Sequence, residues 1–154
     1  HVPCDPNAAA VSALFHDASE ILTGDLPTPI KYNNPEIMVA YRQIESEASN
    51  KLLHMLPPEL RGAYRPFLTE EDPSLHQIVK AADKLSAYIK CIEERRAGND
   101  EFLLAEKKTL ETLKRYHLPE VDYFLKNFIP AFSSTLDELD TMEYSEPISK
   151  SEKE

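Results

Sequence analysis

His16 and Asp17 are adjacent, and Glu20 follows four residues after the first and three after the second. On a helix those offsets bring an imidazole and two carboxylates onto adjoining parts of one surface. A divalent first-row cation accepts such nitrogen and oxygen donors, and a carboxylate beside it can move a proton. The same residues also suit a plainer role, a hydrogen-bonded histidine next to two solvated acids. Just beyond, Gly24-Asp25-Leu26-Pro27-Thr28-Pro29 offers backbone N–H groups, the Asp25 carboxylate and the Thr28 hydroxyl. Two prolines stiffen that segment, which suits ligand recognition at low ordering cost or a simple helix-ending turn. Lys31, close behind, suits either a phosphate or solvent.

Asp83 is the other residue with chemical potential. It lies between Lys80 and Tyr88 in a mostly apolar helical pattern. Burying a carboxylate there is costly unless it is paired or bound to a metal. Its helical neighbours Val79, Ser86 and Ala87 are mostly small, leaving room for an ion or another helix. A surface pair with Lys80 or Lys84 is the alternative.

The elements that must position these groups read as helices. Ala9, Leu14, Ala18, Ile21 and Leu22 predict a first helix over Ala8 to Leu22, with Asn7 as its N-cap. Pro35 opens a second, whose stripe Ile37, Tyr41, Ile44, Ala48, Leu52 and Met55 ends before Pro57-Pro58. A short helix is expected over Glu59 to Phe67, then an acidic turn from Thr69 to Pro73. Leu75, Ile78, Val79, Ala82, Leu85 and Ile89 mark a central helix that runs to Arg96 and closes at Gly98. Asn99 or Asp100 caps the next helix, and Pro119 opens another that Pro130 ends. No segment requires a strand, so the fold class is all-α. Residues 1–139 form the domain, and 140–154 read as an acidic, disordered tail.

Composition narrows the function. With 27 Asp and Glu against 17 Lys and Arg among 154 residues, the formal charge is −10. Such a chain is ill suited to gripping a nucleic-acid backbone, so no polymeric nucleic acid is expected as partner. No apolar run nears the roughly 20 residues that span a bilayer, so no membrane partner is expected. Cys4 and Cys91 belong to no CxxC pair, which predicts reduced thiols in a cytoplasmic protein. The chain opens at His1 without an initiator methionine, which predicts further domain residues upstream.

His16-Asp17-Ala18-Ser19-Glu20, Thr23-Gly24-Asp25-Leu26-Pro27-Thr28-Pro29 and Ala82-Asp83-Lys84-Leu85-Ser86-Ala87-Tyr88, in that order, resemble the HD-domain metal-dependent phosphohydrolases. The likeness is nearest to the bacterial 5′-deoxynucleotidases and extends from about Asn7 to Leu139. It implies a compact helical bundle, a homodimer, and one divalent cation such as Co, Mn, Zn or Fe. By that resemblance His16, Asp17 and Asp83 are metal ligands, and Glu20, with Asp17 beside it, does the catalytic work. Asp25, Leu26, Pro27 and Thr28 contact the nucleotide, joined by Asp17, Lys31 and Asp83. The family's earlier histidine, and an arginine and tryptophan near its N-terminus, have no counterpart here. His1, His54, His76 and His117 do not replace that histidine.

The expected activity is hydrolysis of deoxyribonucleoside 5′-monophosphates to deoxyribonucleosides and phosphate. Two other readings stay open on sequence: a phosphohydrolase of another nucleotide or small phosphomonoester, and a non-catalytic helical interaction module.

Overall fold

The computed structural model describes residues 4–27, 30, 34–69, 72–135 and 137–138 of the chain. Among them every regular element is helical. The expectations placed on His1, Thr28, Lys31 and the tail from 140 onward lie outside the described residues. The chain divides into two compact units, His1–Ser86 and Ala87–Glu154.

In the first unit, α1 spans Pro6–Phe15. Its cap is Asp5, whose carboxylate accepts the Asn7 N–H at 2.8 Å, whereas Asn7 itself was the expected cap. Pro6 decides between these two suitable residue types. Its fixed φ fits the first helical position, so the cap falls one residue earlier. Such a cap contributes about 1 kcal/mol.

The expected single helix to Leu22 is also corrected. Residues 16–19 form a turn, and α2 is the short helix Glu20–Thr23. Through the turn the backbone bonds tighten to three-residue spacing, from Ala18 N–H to Phe15 O and from Glu20 N–H to Asp17 O. The His16 ring accounts for the switch, because its Nδ1–H donates to the Ala13 carbonyl at 2.7 Å. That carbonyl would otherwise serve the Asp17 amide in a continuous helix.

Helix α3, Pro35–Met55, has the expected bounds. Asn34 caps it by accepting the Glu36 N–H at 2.8 Å. At its other end Arg61 reaches back, donating to the His54 and Leu56 carbonyls. Arg61 belongs to α4, Pro58–Leu68, so the guanidinium fastens the corner between the two helices. Tyr41, Ala48 and Leu53 are buried, but Ile37, Ile44 and Met55 of the expected stripe are exposed. The stripe is wider than the surface that α2 and α4 cover, so one edge stays open to solvent.

Helix α5, Pro73–Arg96, starts in the first unit. Its Leu75 and Val79 form a buried cluster with Ala9 of α1, and Ala13 and Ile78 pack on it. This small core sets the register of the site. Asp83 lies one turn beyond Val79 along α5, and His16 lies just past Ala13.

The second unit begins at Ala87 with the remainder of α5. Tyr88, Cys91 and Ile92 are buried there, as are Leu113 of α6 (Leu103–Arg115) and Val121 of α7 (Pro119–Asn127). Arg95 donates to Glu106 at 2.7 Å, and Arg96 donates to the Phe132 carbonyl at 3.0 Å. Gly98 adopts φ 87°, a left-handed helix-closing conformation that glycine takes without strain. Asn99 caps the 3₁₀ turn Asp100–Phe102. Pro130 does not end α7. The helix stops before Phe128, and Pro130 sits in the first turn of α8, Ile129–Phe132, where its missing N–H costs nothing. Burial pushes the Cys91 thiol and the Tyr88 phenol up from their ordinary values, so neither is primed to ionise.

Candidate active site

The first unit brings His16, Asp17 and Asp83 together. His16 Nδ1 is engaged by Ala13, so the ring turns Nε2 toward the two carboxylates. That nitrogen lies 2.9 Å from Asp17 Oδ2 and 4.0 Å from Asp83 Oδ1. The imidazole side chain is 34% exposed, Asp17 57% and Asp83 49%. Of the two readings the sequence left open for Asp83, the partly exposed one is observed. Its carboxylate is half-solvated and faces the histidine.

The Ala13 carbonyl bond has a chemical consequence. Held by Ala13 through Nδ1, the ring presents Nε2 to the two carboxylates, either as a donor to Asp17 or, around a shared cation, as a ligand beside them. Two carboxylates facing one nitrogen are stabilised by positive charge placed among them. A carbonyl holding the far ring nitrogen is the usual support for a metal-binding histidine. Two donors on one first-row ion, each about 2.1 Å from it, stand about 3.0–3.4 Å apart. The observed separations of 2.9 and 4.0 Å bracket that spacing. Among the described residues no three His, Cys, Asp or Glu side chains form a ready-made cage. The donors nevertheless fit a first-row divalent ion in type and direction, with Asp83 needing the largest adjustment.

Glu20 opens α2 four residues after His16 and is half-buried. It follows the turn rather than sharing one continuous helical surface with His16, as the sequence reading had it. Asp25, Leu26 and Pro27 form the irregular segment directly after α2. Thr28 and Lys31 lie outside the described residues. A cavity of about 210 Å³ is lined by Val11, Phe15, Ala63, Tyr64 and Phe67. It carries no charged side chain and is unsuited to a phosphate. Its Phe15 packs edge-on against Tyr64, with centroids 5.7 Å apart, and so ties the end of α1 to α4.

Sequence reasoning missed one contributor to the site, the Ala13 carbonyl. Its only signal is the three-residue spacing to His16, which many unrelated residue pairs share.

A helical domain in which a His-Asp pair meets an aspartate from a later helix is that of an HD-domain hydrolase. Comparison with known proteins makes the assignment specific. The profile described as 5′-deoxynucleotidase YfbR-like matches residues 1–132. A 5′-deoxynucleotidase of Vibrio cholerae is 52% identical over 137 residues, which cover 88% of this chain and 71% of the relative. One from Vibrio vulnificus is 53% identical over 132 residues, covering 84% and 68%. Another from Erwinia tasmaniensis is 50% identical over 137 residues, covering 88% and 69%. The chain belongs to the YfbR-like 5′-deoxynucleotidase family.

Proposed function

We propose that this protein hydrolyses deoxyribonucleoside 5′-monophosphates to deoxyribonucleosides and inorganic phosphate. The observation that carries the reading is the meeting of His16, Asp17 and Asp83, from two distant segments, in a chain about half identical to 5′-deoxynucleotidases. His16 Nε2, Asp17 and Asp83 are the residues that would hold a divalent cation, whose identity among Co, Mn, Zn and Fe depends on availability. Bound there, the cation supplies charge to offset the phosphoryl oxygens and acidity to a water molecule.

The remaining chemistry falls to the chain's own groups. In the hydrolysis a water oxygen bonds to phosphorus as the bond from phosphorus to the nucleoside 5′-oxygen breaks. The proton lost by the water is balanced by one gained at that oxygen. Glu20 moves the proton at its carboxylate, either taking it from the water or delivering it to the leaving oxygen. Asp25, Leu26 and Pro27, followed by Thr28, contact the nucleotide, and Lys31 meets its phosphate. Asp17 and Asp83 help to orient the substrate. The charge of −10 repels a dianionic substrate, so a local positive field is needed, and strict dependence on a cation follows.

The protein acts as a homodimer in the cytoplasm on this reading. Leu14, Ile21, Val39 and Met55 are largely exposed and supply apolar surface for a second copy. Cys4 and Cys91 are free thiols, in keeping with a reducing compartment. No helix among the described residues is long and apolar enough to cross a membrane.

A panel of nucleoside mono-, di- and triphosphates assayed with Mn²⁺ or Co²⁺ tests the activity. The expected result is inorganic phosphate from deoxyribonucleoside monophosphates. Release of pyrophosphate or triphosphate, with monophosphates untouched, would assign the site to a different substrate. No turnover together with no affinity for any divalent ion would favour the interaction module.

A further inference from the structure

We infer that Tyr41 is a positioning residue, holding the start of the 24–27 segment in the geometry that receives the nucleotide. The inference rests on the proposed role of Asp25, Leu26 and Pro27 in substrate contact. Tyr41 is 8% exposed on α3, and its hydroxyl donates to the Gly24 carbonyl at 2.8 Å across 17 residues of sequence. A second hydroxyl, Thr23 Oγ1, lies 3.0 Å from the same oxygen and 3.3 Å from the Ser19 carbonyl. Thr23 has one proton to divide between two carbonyls, whereas Tyr41 brings its bond from a ring anchored in the core. The phenol is therefore the firmer of the two clamps.

Gly24 is where direction is decided. Its N–H closes α2 on the Glu20 carbonyl at 2.9 Å, and its backbone turns to φ 70°, ψ 164°, a region open essentially to glycine alone. After such a residue the chain has wide freedom, and only the next peptide's hydrogen bonds restrict it. The clamped carbonyl belongs to the same peptide unit as the Asp25 N–H. In a trans peptide these two groups point in opposite directions, so the Asp25 amide faces away from Tyr41 and α3. The bond thus sets both the heading of the segment and the aim of its first donor. Ordering the segment before the substrate arrives removes an entropic cost from binding.

Tyr41→Phe deletes one oxygen and keeps the ring in its core position. In the metal-loaded protein, kcat/KM for a deoxyribonucleoside monophosphate should fall about tenfold, mostly through KM, because a small misplacement of a binding group is costly. Hydrogen–deuterium exchange at the Asp25 and Leu26 amides should rise, while Mn²⁺ affinity and Tm stay near wild type. Thr23→Val should change both readouts less. Unchanged exchange in Tyr41→Phe overturns the inference whether or not the wild type turns over any nucleotide. Raised exchange with unaltered kinetics overturns it too, as does a loss of activity that merely tracks a lowered Tm. A wild type that exchanges as expected but releases no phosphate from monophosphates would refute the substrate reading instead.

Discussion

Asp83→Ala lowers the rate of phosphate release from a deoxyribonucleoside monophosphate by more than about a thousandfold at any attainable metal concentration. Asp83 is the group from α5 that meets the His16-Asp17 pair. Without it the imidazole and one carboxylate remain, too few protein donors to hold a first-row ion in a fixed geometry. The side chain is half-exposed, so its removal opens no cavity and should cost less than about 1 kcal/mol of stability. Loss of activity in a protein with unchanged circular dichroism and Tm is therefore the expected pattern. Asp83→Asn keeps the shape, removes the charge and should be nearly as damaging. Titration calorimetry with Mn²⁺ reads the cause directly as a large loss of affinity in both variants. Near-normal turnover in either would show that the carboxylate is not part of the site.

Glu20→Gln carries the second large effect, a fall in kcat of about a hundredfold to ten-thousandfold with metal affinity retained. Glutamine preserves the length and the amide-like plane of the side chain but cannot exchange a proton with a reacting group near neutral pH. Glu20 lies at the first position of α2, where an uncharged isostere leaves the helix intact. The discriminating measurement is the pH profile of kcat. The wild type should show a limb set by a titrating carboxylate, and the variant should lose it while keeping its Mn²⁺ titration. A parallel loss of metal binding would recast Glu20 as a ligand.

The parts of this molecule that sequence made legible are those governed by local rules. Asn34-Pro35 and Pro57-Pro58 bracket α3, and its bounds follow from that punctuation alone. Gly98 closes α5 for the same kind of reason. The motif residues His16, Asp17 and Asp83 were identifiable by type and order, yet nothing local states that they meet. Their meeting depends on Ala9 and Ala13 packing against Leu75, Ile78 and Val79, a pairing of two helices far apart in sequence. Once that register is set, Asp83 follows Val79 by one turn and faces the histidine.

The misread features share a different origin. The turn at residues 16–19 arises because a side chain captures a backbone carbonyl, an event that periodicity does not register. Ile37, Ile44 and Met55 carry a sound helical stripe, but a stripe does not say how wide its partner surface is. Tyr41 was legible as a core residue through its spacing. The reach of its hydroxyl to Gly24 was not, since it depends on where α2 lands beside α3.

The proposed chemistry requires one cation that joins the early histidine and aspartate to the aspartate of α5. Anomalous diffraction from crystals grown with saturating Mn²⁺ addresses it most directly. A single strong peak is expected in bonding contact with His16 Nε2 and with carboxylate oxygens of both Asp17 and Asp83. A peak bound elsewhere, or Asp83 turned away from a metal held by the other two, would contradict it.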